Sequence, residues 1–155
     1  MKTNAMRYLD DIGVQYVIKP HSQPVFTSED AARERGVRLS QIVKTMVVKT
    51  SRDESVIALI PGNRRLDLKQ MGEVLGDKKL KLVDRAEVQK LTGYEVGAIS
   101  PIGLRKNFHM LLDKHILDEQ FVDISSGRPD AGIELLSQEL LRITGAETAV
   151  ISTSQ

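Results

Sequence analysis

Lys44-Thr45-Met46-Val47-Val48-Lys49-Thr50 and Ser55-Val56-Ile57-Ala58-Leu59-Ile60 are two apolar, β-branched runs, separated by Ser51-Arg52-Asp53-Glu54. Residues of this type favour a pleated, half-buried backbone, and a four-residue polar insert between two such runs reads as a hairpin. The second run is apolar for five residues, 56–60, far short of a membrane span. Strands are therefore expected over 44–50 and 55–60.

Helix signals surround it. Pro61-Gly62-Asn63 makes a turn, and 67–75 reads as a helix with Leu68, Met71 and Leu75 on one face and Gly76 as its stop. Towards the N-terminus, Met6, Leu9 and Ile12 recur at helical spacing over 3–12, with Thr3 or Asn4 as cap and Gly13 as terminator. A short strand is expected over 14–18. Thr27 followed by Asp30 resembles a capping box for a helix over 31–35 closed by Gly36, and 39–43 reads as one more helical turn. Towards the C-terminus, Asp84 caps a helix over 85–91 and Gly93 closes it. Strands are expected over 79–83, 108–112, 121–124, 133–135 and 148–152, with a helix over 137–143. The spacing is too uneven for a repeated strand–helix–strand unit, so the pattern predicts an α+β domain with a mixed sheet. No repeat, low-complexity tract or Pro/Ser-rich linker divides the chain, and residues 1–155 read as one domain.

Composition narrows the function classes. There is no Cys, which removes disulfides, thiolate nucleophiles and Cys-based metal sites together. His21, His109 and His115 follow no zinc-binding spacing, so no metal is expected. There is no Gly-rich phosphate loop and no nucleophile elbow, so neither a nucleotide cofactor nor a serine nucleophile is indicated. The N-terminus lacks an apolar signal-peptide core, and no apolar run approaches membrane-spanning length; the expectation is a cytosolic protein with no membrane partner. Basic and acidic residues nearly balance, 22 against 21, so binding to nucleic acid would need a local basic patch. Arg64-Arg65, Lys78-Lys79 with Lys81, and Arg105-Lys106 are the short candidates.

Three segments could carry chemistry. Lys44 opens an apolar strand, where partial desolvation lowers an ammonium's pKa; the alternative is a strand-edge lysine that reaches back to water. Gly97-Ala98-Ile99-Ser100-Pro101-Ile102-Gly103 cannot be a regular helix, and its glycines let main-chain N–H groups approach a ligand and hold an oxyanion; the alternative is a plain Gly-Pro turn. Ser125-Ser126-Gly127-Arg128-Pro129-Asp130 combines hydroxyls, a phosphate-capable Arg and a carboxylate, or is a solvated loop.

These segments, together with Lys2-Thr3-Asn4-Ala5-Met6-Arg7, Gln41-Ile42-Val43-Lys44-Thr45, Ile60-Pro61-Gly62-Asn63 and Thr92-Gly93-Tyr94-Glu95-Val96-Gly97, occur in an order that resembles the YbaK/ProX (EbsC-like) family of aminoacyl-tRNA deacylases. That family is related to the editing domain inserted in bacterial prolyl-tRNA synthetases. The resemblance runs over nearly the whole chain. It implies a mixed sheet curled into a barrel-like core with helices outside, and hydrolysis of a mischarged amino acid from the 3′ acceptor end of tRNA without a cofactor.

The resemblance also implies roles. Lys44 matches the family's key lysine, and the main chain of Gly97, Ala98, Ile99 and Ser100 would polarise the ester carbonyl. Thr45, Phe26, Pro101, Ser125, Gly127 and Asp130 would form the substrate walls. Some family members carry an Asp aligned with Gly132; here the nearest carboxylate is Asp130, two positions earlier. Position 98, often a second Gly in the family's loop, is Ala. The start of the chain looks more like the branch that acts on Cys-tRNA(Pro). Ala, Ser or Thr as the misacyl group is the alternative within the enzyme class, and a non-catalytic tRNA- or synthetase-binding module is the alternative outside it. A complex with prolyl-tRNA synthetase would supply the tRNA recognition that so small a chain lacks.

Overall fold

The computed structural model describes residues 2–155. Five α-helices are present: α1 (Asn4–Ile12), α2 (Ser28–Arg35), α3 (Leu68–Leu75), α4 (Arg85–Thr92) and α5 (Ser137–Thr144). The strands are β1 (Val17–Pro20), β2 (Val43–Lys49), β3 (Ser55–Pro61), β4 (Arg64–Leu66), β5 (Lys81–Leu82), β6 (His109–Asp113), β7 (Phe121–Ser125), β8 (Ala131–Leu136), β9 (Glu147–Ala149) and β10 (Ser152–Ser154). Short 3₁₀ turns occupy Leu39–Gln41 and Lys114–Asp118.

The capping chemistry acts as the sequence suggests. Thr3, Thr27, Asp67 and Asp84 each accept a hydrogen bond from a first-turn N–H, and Gly13, Gly36, Gly76 and Gly93 each close a helix in the left-handed conformation.

The central hairpin forms with Lys44 opposite Ile60 and Lys49 opposite Ser55. It lies inside a five-stranded sheet of order β5-β2-β3-β6-β9, antiparallel on the β5 side and parallel from β3 to β9. Residues Val56 through Pro61 of β3 are all buried, as a strand covered on both faces requires. One face packs Ile57, Leu59 and Leu112 against Leu9 of α1, Leu140 of α5 and Ile124 and Ile133 of a second sheet; the other packs Ala58, Ile60 and Leu111 against Met71 of α3 and Ile151.

The barrel-like closure expected from the resemblance does not occur. A three-stranded antiparallel sheet, β1-β8-β7, and a two-stranded ribbon, β10-β4, stand apart from the five-stranded sheet. Among the described residues an isolated bridge, Ile42 to Asp123, joins the entry to β2 in the five-stranded sheet to β7 in the three-stranded one. The edges explain this: β5 has two residues and β9 three, too few to continue the ladder round to a closed ring. The last expected strand, 148–152, is likewise two strands, β9 and β10. They belong to different sheets because the chain leaves the first at Val150 and Ile151.

Candidate functional site

A cleft of about 460 Å³ opens where the start of β2 meets the segment leading into α2, the loop after α4 and the end of β7. Six of the residues singled out from the sequence line it together: Phe26, Lys44, Thr45, Gly97, Ile99 and Ser125.

Lys44 is half-buried and its Nζ donates to the carbonyl of Arg64 at 2.7 Å. Burial pushes its pKa below the ordinary ammonium value; the Glu29 carboxylate opposes that shift, and the Arg65 guanidinium adds to it. The cation is thus partly dry and held by a main-chain carbonyl. Next to it, the Oγ1 of Thr45 is buried and has no hydrogen-bond partner among the described residues. An orphaned hydroxyl on a cleft wall costs stability and is ready for a ligand.

The loop after α4 is built as a rigid shelf. Tyr94 is buried and donates its hydroxyl to the carbonyl of Ile102 at 2.8 Å, tying the loop's two ends together, and burial pushes its pKa up to about 12. Glu95 O accepts from the N–H of Ala98 at 2.9 Å. Ala98 is therefore occupied within the loop, whereas the N–H groups of Gly97, Ile99 and Ser100 bond to no other group among the described residues. Gly97 has φ +91°, a conformation that disfavours any side chain, and it lies against Phe26.

The remaining expected residues sit elsewhere. Ala98 and Ser100 belong to the loop but are buried and do not line the cleft. Pro101 borders a separate hollow of about 210 Å³, beside Tyr8 and Ile102. Gly127, at φ +95°, leaves room for Tyr94, whose Cε1 a Cβ there would meet at 2.5 Å. Asp130 is paired bidentately with Arg128 at 2.7 and 2.8 Å. Its carbonyl and that of Pro129 accept from His21 and Val25, which fixes the segment that presents Phe26.

Sequence reasoning missed Glu29, Arg35 and Gln155, which also line the cleft. A signal existed for one of them: Ser28, Ala31 and Arg35 follow one another at helical spacing and all face the cleft. Arg35 donates to buried Asp123 at 2.7 Å, and Gly132 makes the pair possible, since a Cβ there would lie 2.6 Å from both side chains. Burial pushes the Asp123 carboxyl up to about 6 in spite of Arg35 and Lys19. Gly132 thus has no space for the Asp that some relatives of the expected family carry. Of the two adjacent arginines, Arg64 is spent internally on Ser152, while Arg65 is exposed beside Lys44.

A family model described as an aminoacyl-tRNA editing domain matches residues 22–143, four-fifths of the chain and all of the cleft except Gln155. The chain belongs to that family. It is 32% identical, over 99% of its own length and 95% of the relative's, to the Enterococcus faecalis protein named "Putative Cys-tRNA(Pro)/Cys-tRNA(Cys) deacylase EbsC". It is 33% identical over 62% of its length to the proline–tRNA ligase of Thermosipho melanesiensis, of which it covers 17%. A crystal structure described as "a putative trans-editing enzyme for prolyl tRNA synthetase" superimposes with a TM-score of 0.86 at 26% identity, over 99% of each chain. Among the described residues no three His, Cys, Asp or Glu side chains converge as a metal site would need, and no helix is long and apolar enough to cross a membrane.

Proposed function

We propose that this editing-domain protein is a trans-editing aminoacyl-tRNA deacylase, with Cys-tRNA(Pro) as its first-choice substrate and esters of other small amino acids as weaker ones. The observation that carries the reading is the convergence on one cleft of a partly desolvated Lys44, the orphaned hydroxyl of Thr45 and the free N–H groups of Gly97 and Ile99.

The substrate is an ester between an amino acid and a ribose hydroxyl of the terminal adenosine. Water, oriented by the substrate's own ribose hydroxyl, adds to the carbonyl carbon; the bond to the ribose oxygen breaks, that oxygen takes the water's proton, and free amino acid and tRNA 3′-hydroxyl leave. The cleft offers no protein nucleophile of the Ser–His or Cys type, so positioning and charge stabilisation must supply the rate. The N–H groups of Gly97 and Ile99 take the developing oxyanion, and Lys44 holds the terminal ribose or phosphate. Arg65, free beside Lys44, takes a phosphate of the acceptor end. Glu29, which forms no ion pair among the described residues, faces the α-ammonium of the aminoacyl group. Prolyl-tRNA synthetase is the partner that would deliver the tRNA. Selection by pocket size discriminates by only about 1–3 kcal/mol per methylene, so partial reaction with Ala or Ser esters is expected.

Deacylation of Cys-, Ala-, Ser-, Thr- and Pro-tRNA(Pro) by wild type and Lys44→Ala tests this. Release of cysteine by wild type, reduced at least about a hundredfold in the folded variant, is the expected result. If wild type binds tRNA but releases nothing from any of the five, the protein is a binding module instead.

A further inference from the structure

Lys44 is held by a chain of contacts that begins in the core. Asp113 is fully buried at the end of β6. Burial alone would push its pKa up, but hydrogen bonds from the N–H of Ile151, the hydroxyl of Ser152 and His115 outweigh burial and hold it below the usual carboxylate value. The Ser152 hydroxyl donates to Asp113 Oδ2 at 2.7 Å and accepts from Arg64 Nε at 2.7 Å; Arg64 Nη2 adds a bond to the Ser152 carbonyl at 3.0 Å. The carbonyl of that same Arg64 receives Lys44 Nζ at 2.7 Å. Each link from Asp113 to Lys44 is thus a hydrogen bond of ordinary length.

We infer that Asp113, Ser152 and Arg64 form a positioning relay that fixes the Lys44 ammonium at the cleft wall. The inference rests on the catalytic role proposed for Lys44. Three facts support it beyond the distances. Ser152 and Arg64 are 88 residues apart in sequence, so no local turn demands their contact. The ribbon they belong to, β4–β10, joins no other strand's ladder, so these side-chain bonds add to the short turn after β3 in holding it in place. A lysine's four-carbon stem is otherwise free, and a pre-set acceptor spares the bound substrate the rotamer entropy of fixing it. Asp113, Ser152 and Arg64 touch no substrate here; they act through Lys44.

The test uses Ser152→Ala, Arg64→Ala and, as a control on the same ribbon, Ser154→Ala, whose side chain takes no part in the relay. Lysine labelled with ¹³C at Cε reports whether the Lys44 methylene is fixed, because its two hydrogens give separate signals when rigid and one averaged signal when mobile. In Ser152→Ala and Arg64→Ala the Lys44 signals should merge while those of other lysines stay, with kcat on Cys-tRNA(Pro) lower by about tenfold and KM changed less than about twofold. Ser154→Ala should match wild type. Arg64 is only half-buried, so Arg64→Ala remains informative if Ser152→Ala fails to fold. A folded Arg64→Ala protein with Lys44 still rigid and kcat intact overturns the relay, even if its melting temperature falls, since it would then be a structural pin alone. If wild type deacylates nothing while the Lys44 signals merge in both variants, the deacylase reading is lost and the relay stands.

Discussion

The main chain of Gly97 rests on the ring of Phe26: a Cβ built at Gly97 would lie 3.1 Å from Phe26 Cδ1 and 3.2 Å from its carbonyl oxygen. The loop that supplies N–H groups and the aromatic wall opposite it are thus set by one contact. Gly97→Ala must adopt φ +91° and displace Phe26 together. The expected result is a stability loss of about 1–2 kcal/mol. Deacylation should fall by more than about tenfold, because misplacement of order 1 Å is costly in an oriented site. Unchanged kinetics in Gly97→Ala would show that the loop does not hold the carbonyl.

Thr45 offers a case where function and stability oppose one another. Its buried, unpartnered hydroxyl costs the fold on the order of 1–3 kcal/mol. Thr45→Val keeps the shape and removes the hydroxyl. Thermal unfolding should therefore be unchanged or higher, while KM for aminoacyl-tRNA rises. A clear drop in melting temperature would mean that the hydroxyl is already satisfied in the free protein.

The assignment of Glu29 to the α-ammonium predicts a preference between substrates. Wild type should hydrolyse Cys-tRNA(Pro) faster than its N-acetylated form by about tenfold, the worth of one charge-assisted contact. Glu29→Gln should erase that preference by slowing the first and not the second. If the variant slows both equally, Glu29 serves the helix it begins and not the ligand.

Asp123 gives the fold a pH signature. Its folded pKa, about 6, lies above the ordinary carboxylate value, so its contribution is fully present below about pH 4 and is lost as pH rises through about 6. A rise of that size is worth roughly 3 kcal/mol. In denaturant titrations the advantage of wild type over Asp123→Asn should shrink from about pH 4 to about pH 7. An advantage that grows over this range would mean that the Arg35 contact outweighs burial.

Gly132 separates packing from chemistry. Gly132→Ala puts a methyl 2.6 Å from Arg35 Cδ, Arg35 Nε and Asp123 Oδ1, so the buried pair must part. Breaking such a pair costs about 3–5 kcal/mol, and soluble expression should fall with it. Wild-type stability in this variant would show that the pair can rearrange.

Much of this was legible from local chemistry. Caps, glycine stops and the central hairpin depend on residues within a few positions of one another, so the sequence alone placed them within one or two residues. Residue chemistry singles out Lys44, the 97–103 loop and Ser125, the resemblance adds Phe26 and Thr45, and Phe26, Lys44, Thr45, Gly97, Ile99 and Ser125 line one cleft. What could not be read was long-range. Arg64–Leu66 is too short to signal a strand, and its partner is Ser152–Ser154. The absence of barrel closure depends on where edge strands stop, which no periodicity reveals. Glu29 stands in the first turn of α2, where an acid is ordinary, so its type carries no signal of a cleft.

The pairing of Arg64–Leu66 with Ser152–Ser154, and of Val17–Pro20 with Ala131–Glu134, has a consequence for biosynthesis. Contacts so distant along the chain slow folding, since a long loop must close before they form. A nascent polypeptide emerging from the ribosome has its hairpin and Lys44 early, but the ribbon that carries the lysine's acceptor cannot form until residues 152–154 are outside the exit tunnel. Until that moment the lysine stands in the cleft without its anchor, and the geometry of the cleft wall is set only when the last strand docks.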